Sequence, residues 1–219
     1  MHATTRGEHQ SFLNRYYGLT RPVYDVTRRY FLLGRDRAIG ELLREPWGSL
    51  IDVGVGTGRN LARLRAERPW ARYGGVDASD AMLEASRRRL PWAALRHGFA
   101  EDVDLPEVLG APPERILFSY VLSMVVDPMA ALRNARRALA PGGKIVVVDF
   151  ADLTGLPAPL RWGLLGYLAA FRVRPLDPLR LESEGARVRV GPAGYYLIAE
   201  LGSIGGWRSR AQDPGRLPG

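Results

Sequence analysis

The sequence predicts an α/β fold, a largely parallel sheet with helices on both faces. Two patterns and the chain length predict it. Short apolar runs alternate with longer amphipathic stretches between about residues 50 and 150, the rhythm of repeated β-α-β units. The run Ile51-Asp52-Val53-Gly54-Val55-Gly56-Thr57-Gly58-Arg59-Asn60 joins a strand to a helix through glycines at every second position. A chain of 219 residues is long enough for one such domain with appendages and too short for two.

The elements follow in order. Residues 10–43 read as two or three helices. Phe12, Tyr16 and Leu19 recur at helical spacing, Thr20 and Pro22 give a cap with an early proline, and Val23, Val26, Tyr30 and Leu33 continue the stripe. Strand 50–53, helix 60–68, strand 73–76, helix 80–90 capped by Ser79 or Asp80, and strand 94–99 come next. The pattern repeats as strand 115–120, helix 128–139 and strand 144–150 after Pro141-Gly142-Gly143. Beyond Asp149 the pitch breaks around an amphipathic stretch at 160–171. Strands 186–190 and 195–201, joined by Gly191-Pro192-Ala193-Gly194, read as a closing hairpin. The division expected is a helical substrate cap over 1–45, a ligand-binding domain over 46–201 and a flexible tail over 202–219.

Composition narrows the setting. With no cysteine there is neither a disulfide framework nor a thiolate metal site, His2, His9 and His97 are isolated, and no metal is expected. The absence of a signal segment and of long apolar runs points to a cytoplasmic protein that does not cross a bilayer. The net charge of +8 is carried almost wholly by arginine, since Lys144 is the sole lysine, and such a surface favours phosphate groups of nucleic acid or of anionic lipid.

The glycine turn carries the chemistry. Glycines supply positive φ and leave room for a ligand against the backbone. The dinucleotide pattern G-x-G-x-x-G is disfavoured because its third glycine would fall on Arg59. Asp52 adds a carboxylate suited to a cationic ligand. About one β-α-β unit later Asp77 ends a strand, where an acid can accept both hydroxyls of a ribose at the switch point of a parallel sheet.

Asp52 with Gly54, Gly56 and Gly58 resembles motif I of the class I S-adenosylmethionine (SAM) methyltransferases. Ser119-Tyr120-Val121-Leu122-Ser123-Met124 and the run from Leu139 to Phe150 resemble later motifs of that class. The resemblance implies a Rossmann-like seven-stranded sheet, SAM as cofactor and S-adenosyl-L-homocysteine (SAH) as product. The cofactor site it implies consists of Asp52, Gly54, Gly56, Gly58, Asp77, Ala78, Phe99, Glu101 and Ser119. Many relatives carry an Asp at the position of Phe99 to read the adenine amino group. Here Phe99 is left to stack on or pack against the base, and Glu101 or Asp102 to contact the amino group.

The segment from Val23 to Arg37, with Tyr24-Asp25 and Leu33-Gly34-Arg35-Asp36-Arg37, is more particular. It resembles the bacterial N-methyltransferases that trimethylate diacylglyceryl-homoserine to make betaine lipids. That resemblance implies a lipid head-group amine as substrate and a peripheral place on the inner membrane face. The alternatives are a soluble amine, quinone or phenol as acceptor, or a non-catalytic SAM-binding protein. Nucleic acid is disfavoured, because the fourth strand lacks the Asn/Asp-Pro-Pro-aromatic motif used on base amino groups.

An amine must lose its proton before attack, to solvent or to a carboxylate or phenol, and Tyr24, Asp25 and Tyr120 are the catalytic candidates. Tyr16 and Tyr17 are candidates to hold a cationic product by cation-π attraction, and Arg28 and Arg35 to pair with a substrate carboxylate or phosphate. Trp162, Leu165 and Phe171 either lie in a lipid interface beside an anionic membrane surface or pack on the core.

Overall fold

A computed structural model describes residues 32–203 of the chain. Tyr16, Tyr17, Tyr24, Asp25 and Arg28 lie outside the described residues, as do most of the expected cap and tail. Seven strands form one sheet: β1 (Ser49–Val53), β2 (Arg72–Asp77), β3 (Ala94–His97), β4 (Arg115–Ser119), β5 (Lys144–Phe150), β6 (Arg187–Val190) and β7 (Tyr196–Gly202), in the order β3-β2-β1-β4-β5-β7-β6. The first five strands run parallel, and β7 lies antiparallel between β5 and β6. The closing hairpin is therefore real but inserted, with its later strand on the inside. Its connection is a short 3₁₀ turn, Pro192–Gly194.

The helices are α1 (Arg35–Arg44), α2 (Arg59–Glu67), α3 (Asp80–Arg89), α4 (Leu105–Leu109), α5 (Pro128–Ala138), α6 (Ala158–Ala170) and α7 (Pro178–Ser183). Three of their starts follow one rule. Asp104, Asp127 and Asp177 each accept a backbone N–H of the first turn, and a proline within the first two helical positions presets φ. Ser79 does the same for α3 through Met82 N–H. The short α4 and α7 were not expected, although the same Asp-Pro signals precede them.

Alternation along the strands sorts the core into two layers. Ile51, Val76, Ile116, Phe118 and Val147 pack with Leu105, Leu132 and Leu181 of α4, α5 and α7. Leu50, Tyr73, Leu117, Val146 and Val148 pack on the other face with Ile39, Leu61, Leu83 and Leu168 of α1, α2, α3 and α6. The edge strands β3 and β6 are only half covered.

Three expectations are corrected. Leu33 does not continue a helical stripe. It sits in a turn, 52% exposed, because Gly34 adopts φ 81° where the Tyr196 ring leaves no room for a Cβ. The expected strand 94–99 stops at His97, and 115–120 stops at Ser119 because Tyr120 turns out of the strand with φ 58°. Leu165 and Phe171 pack against the core, so of the three side chains considered for a membrane only Trp162 faces outward. No helix among the described residues is long and apolar enough to cross a membrane.

The end of α1 is tied to the far edge of the sheet by alternating charges. Arg189 on β6 contacts Glu41 of α1 and Glu200 of β7, Lys144 bridges Glu200 at 3.4 Å and Glu45 at 2.7 Å, and Glu45 reaches Arg115 at 3.0 Å. The Lys144 hydrogen bond is the largest influence holding the Glu45 carboxyl below its usual range. This network fixes where α1 lies rather than adding much net stability. It thereby delivers the chain before Gly34 to the opposite, carboxyl end of the strands.

Candidate functional site

The strand order reverses between β1 and β4, and ligands of open α/β sheets bind outside the carboxyl ends of the strands at such a point. The glycine turn occupies this place. Gly54 N–H and Val55 N–H both donate to Val76 C=O, at 2.8 and 2.9 Å, and Gly58 N–H returns to Val55 C=O at 2.9 Å. Gly54, Gly56 and Gly58 all take positive φ. A Cβ on Gly54 would strike Val121 and one on Gly58 would strike Leu90, so two of the glycines are required by packing alone. Gly56 faces the open space and is the position a ligand needs clear.

Two clefts flank the turn. The larger, of about 680 Å³, is lined by Gly54, Gly56, Asp77, Ala78, Phe99 and Glu101 on one side and by Tyr120, Val121, Met124 and Val125 on the other. The second, of about 430 Å³, is lined by Leu32, Arg35, Gly54 to Thr57, Arg59, Asn60 and Ser119. It lies at the start of α2, where the backbone N–H groups and the helix dipole favour an anion. Arg35 lines this cleft beside the glycine turn.

The acids divide by burial. Asp77 accepts Gly56 N–H at 2.8 Å and Ser79 N–H at 2.9 Å, one bond to each oxygen. A carboxylate has about four acceptor positions, so it can still receive ribose hydroxyls. Asp52 is wholly buried, lines neither cleft and accepts from Asn60 Nδ2 at 3.2 Å. Asp52 thus supports the turn through Asn60. Glu101 lines the larger cleft, and its Oε1 also accepts Val126 N–H at 3.2 Å and Asp127 N–H at 3.4 Å. Asp102 is exposed outside that cleft.

Tyr120 does not meet the needs of a proton acceptor. Its hydroxyl donates to the Leu33 carbonyl, its ring packs edge-on against Phe150 at 4.8 Å, and burial pushes its phenol far above the usual range. The positive φ that ends β4 sends the side chain beneath the site, where it pins the incoming chain at Leu33.

Residues beyond the expected set complete the site. Val121, Met124 and Val125 form an apolar wall, and Ser86 Oγ donates to the Gly56 carbonyl. Asp149, wholly buried at the end of β5, accepts Ser123 N–H at 3.1 Å and Phe150 N–H at 2.8 Å. Ser123 C=O in turn accepts Arg174 N–H at 2.7 Å, so one peptide joins the cleft wall to the segment after α6. The signal for Asp149 was visible in sequence: like Asp52 and Asp77, it is an acid near the end of an apolar strand.

Comparison with known proteins fits this geometry. The family model described as "Methyltransferase domain" matches residues 24–180. The chain belongs to the methyltransferase-domain family. Its cofactor is accordingly SAM, and the site can hold it: an open backbone approach at Gly56, the Asp77 carboxylate lining the larger cleft, and a basic cleft for a carboxylate.

This methyltransferase-domain chain is 38% identical over 99 residues to a dTDP-4-amino-2,3,4,6-tetradeoxy-D-glucose N,N-dimethyltransferase of Saccharopolyspora spinosa, covering 45% of this chain and 39% of that protein. It is 27% identical over 203 residues to a demethylmenaquinone methyltransferase of Streptomyces avermitilis, covering 89% and 78% of the two chains. The chain spans between 34% and 61% of the length of several other curated relatives. The solved DhpI-SAM-HEP complex superposes with a TM-score of 0.63 over 90% of this chain and 99% of that one, at 22% identity, which shows the shared seven-stranded Rossmann-like fold.

Two outcomes follow from the acids. Asp77→Asn should weaken SAH binding by about tenfold or more, since a charged acceptor is lost, and should lower the melting temperature modestly, since the amide nitrogen cannot accept one of the two backbone N–H groups. Calorimetry giving the wild-type dissociation constant would remove Asp77 from the ribose.

Burial pushes the Asp149 carboxyl up to about 6 from 3.8, against its hydrogen bonds from Ser123 and Phe150. A raised carboxyl favours the folded state fully below the unfolded value, and this contribution is lost as pH rises through about 6. From pH 5 to pH 7 wild type should therefore lose about 1 kcal/mol of stability that Asp149→Asn does not lose. Parallel denaturant curves across this range would contradict the assignment.

Proposed function

We propose that this protein transfers a methyl group from SAM to the nitrogen of a small-molecule amine. Bound SAM supplies a methyl already activated on a sulfonium, so the protein's task is to hold the acceptor in line and exclude water. The observation that carries the choice of nitrogen is the makeup of the wall beyond the glycine turn. Val121, Met124 and Val125 are apolar, and Tyr120 has its hydroxyl committed to Leu33. Among the described residues this wall offers no base suited to a phenol or a carbon acid, whereas an amine can shed its proton to solvent before it enters. The similarity to an amino-sugar N,N-dimethyltransferase supports the same choice.

Tyr24 and Asp25 are proposed as the acceptor's near wall, with Tyr16, Tyr17 and Arg28 as further contacts. What supports this is the hydrogen bond from Tyr120 to the Leu33 carbonyl, which holds Leu33 beside the site.

A second reading is the lipid head-group amine of diacylglyceryl-homoserine. The observation favouring it is α6, the helix after β5, which leaves Leu160, Trp162 and Tyr167 exposed. Exposed apolar side chains suit an acceptor with a hydrocarbon portion. They suit a quinone as well, which the demethylmenaquinone methyltransferase relative keeps in view.

The test is incubation with methyl-labelled SAM and, separately, dTDP-amino sugars, a total lipid extract and demethylmenaquinone, followed by mass analysis. The expected result is label on nitrogen in one of the first two pools. Label on carbon or oxygen alone would overturn the N-methyl reading. Intact SAH binding without transfer to any pool would point to a non-catalytic binder.

A further inference from the structure

The base end of the larger cleft has an unusual chemical character. Asp77 places the ribose, and the path beyond it passes Ala78 to Phe99, Ala100 and Val125. Only two carboxylates line this cleft among the described residues, Asp77 and Glu101. Asp77 is occupied with Gly56 and Ser79 at the ribose end. Glu101 has one oxygen engaged, its Oε1 held by Val126 N–H and Asp127 N–H ahead of α5. Asp102 is turned to solvent. The side chain that follows Gly98 at the end of β3 is the ring of Phe99, half-buried and edge-on to His97 at 6.3 Å.

We propose that this protein grips the purine of its cofactor by shape, against the Phe99 ring and the Ala78 and Ala100 side chains that line the same cleft, without reading the 6-amino group, and so accepts cofactors alkylated at N6. The physical argument is one of differential contact. A carboxylate that accepted from the amino group would make each lost N–H costly, and it would meet an added methyl with an unpaired charge. An aromatic ring and aliphatic side chains meet the same methyl with an apolar surface, and burial of that methyl is neutral or favourable. The cleft is open to solvent, so an unsubstituted amino group keeps its water and costs nothing in the natural cofactor.

The inference rests on the cofactor assignment and is independent of the acceptor. The experiment is titration calorimetry of the full chain with SAH and with its N6,N6-dimethyl derivative. Wild type should bind the two within about threefold, because no hydrogen bond is lost. Phe99→Asp should prefer SAH by about tenfold or more, and Phe99→Leu, which keeps an apolar surface, should remain within about threefold.

Wild type that loses tenfold or more on dimethylation would overturn the proposal. In that event Glu101→Gln, which keeps an oxygen for the Val126 and Asp127 N–H groups, tells whether Glu101 reads the amino group through its other oxygen. Failure of wild type to bind either compound would instead overturn the cofactor assignment.

Discussion

The site depends on one backbone arrangement, the docking of the glycine turn onto the end of β2. A single carbonyl, Val76, receives the N–H groups of Gly54 and Val55, and the next residue, Asp77, receives Gly56 from the turn and Ser79 from the following helix start. Two β-α connections are thereby locked to each other. The positive φ values of the glycines follow from this lock, as does the launch of α2 with its N-terminus aimed at the basic cleft. Without it the ribose acceptor and the carboxylate-binding end would have no fixed separation.

The opposite wall is organised by a second, buried carboxylate. Asp149 holds Ser123 by its N–H while Arg174 holds the same residue by its carbonyl. Asp149 and the chain leaving α6 therefore grip the apolar cleft wall through one residue, Ser123. Tyr120 performs a related task from the end of β4, reaching the Leu33 carbonyl across the other side of the site. Both groups act by positioning. This fits a reaction whose energetic demand lies in alignment and exclusion of water rather than in proton transfer.

Much of this was legible in the sequence, and what was not has identifiable causes. The alternation of strands and helices, the glycine turn and Asp77 are local signals, because periodicity and positive φ leave marks in adjacent residues. The insertion of β7 between β5 and β6 leaves no such mark, since a hairpin reads the same on either edge. Leu33 was misread because apolar spacing continues across Gly34, whereas the Tyr196 ring that forces the turn is distant in sequence. The burial of Asp52 and Tyr120 is likewise set by tertiary packing that adjacent residues do not reveal. The nearness of Arg35 to the glycine turn left no mark in sequence, because only the path of the chain brings the two together.

The central claim is that the clefts flanking the glycine turn hold one cofactor in a single orientation, set by Asp77 at the ribose and by Arg35 and the start of α2 at the carboxylate. A crystal structure of the complex with SAH tests it most directly. The account predicts ribose hydroxyls on Asp77, the purine against Phe99 and the homocysteine carboxylate in the cleft bounded by Arg35 and Ser119. SAH lying reversed along the cleft, or bound away from Gly56 altogether, would contradict it.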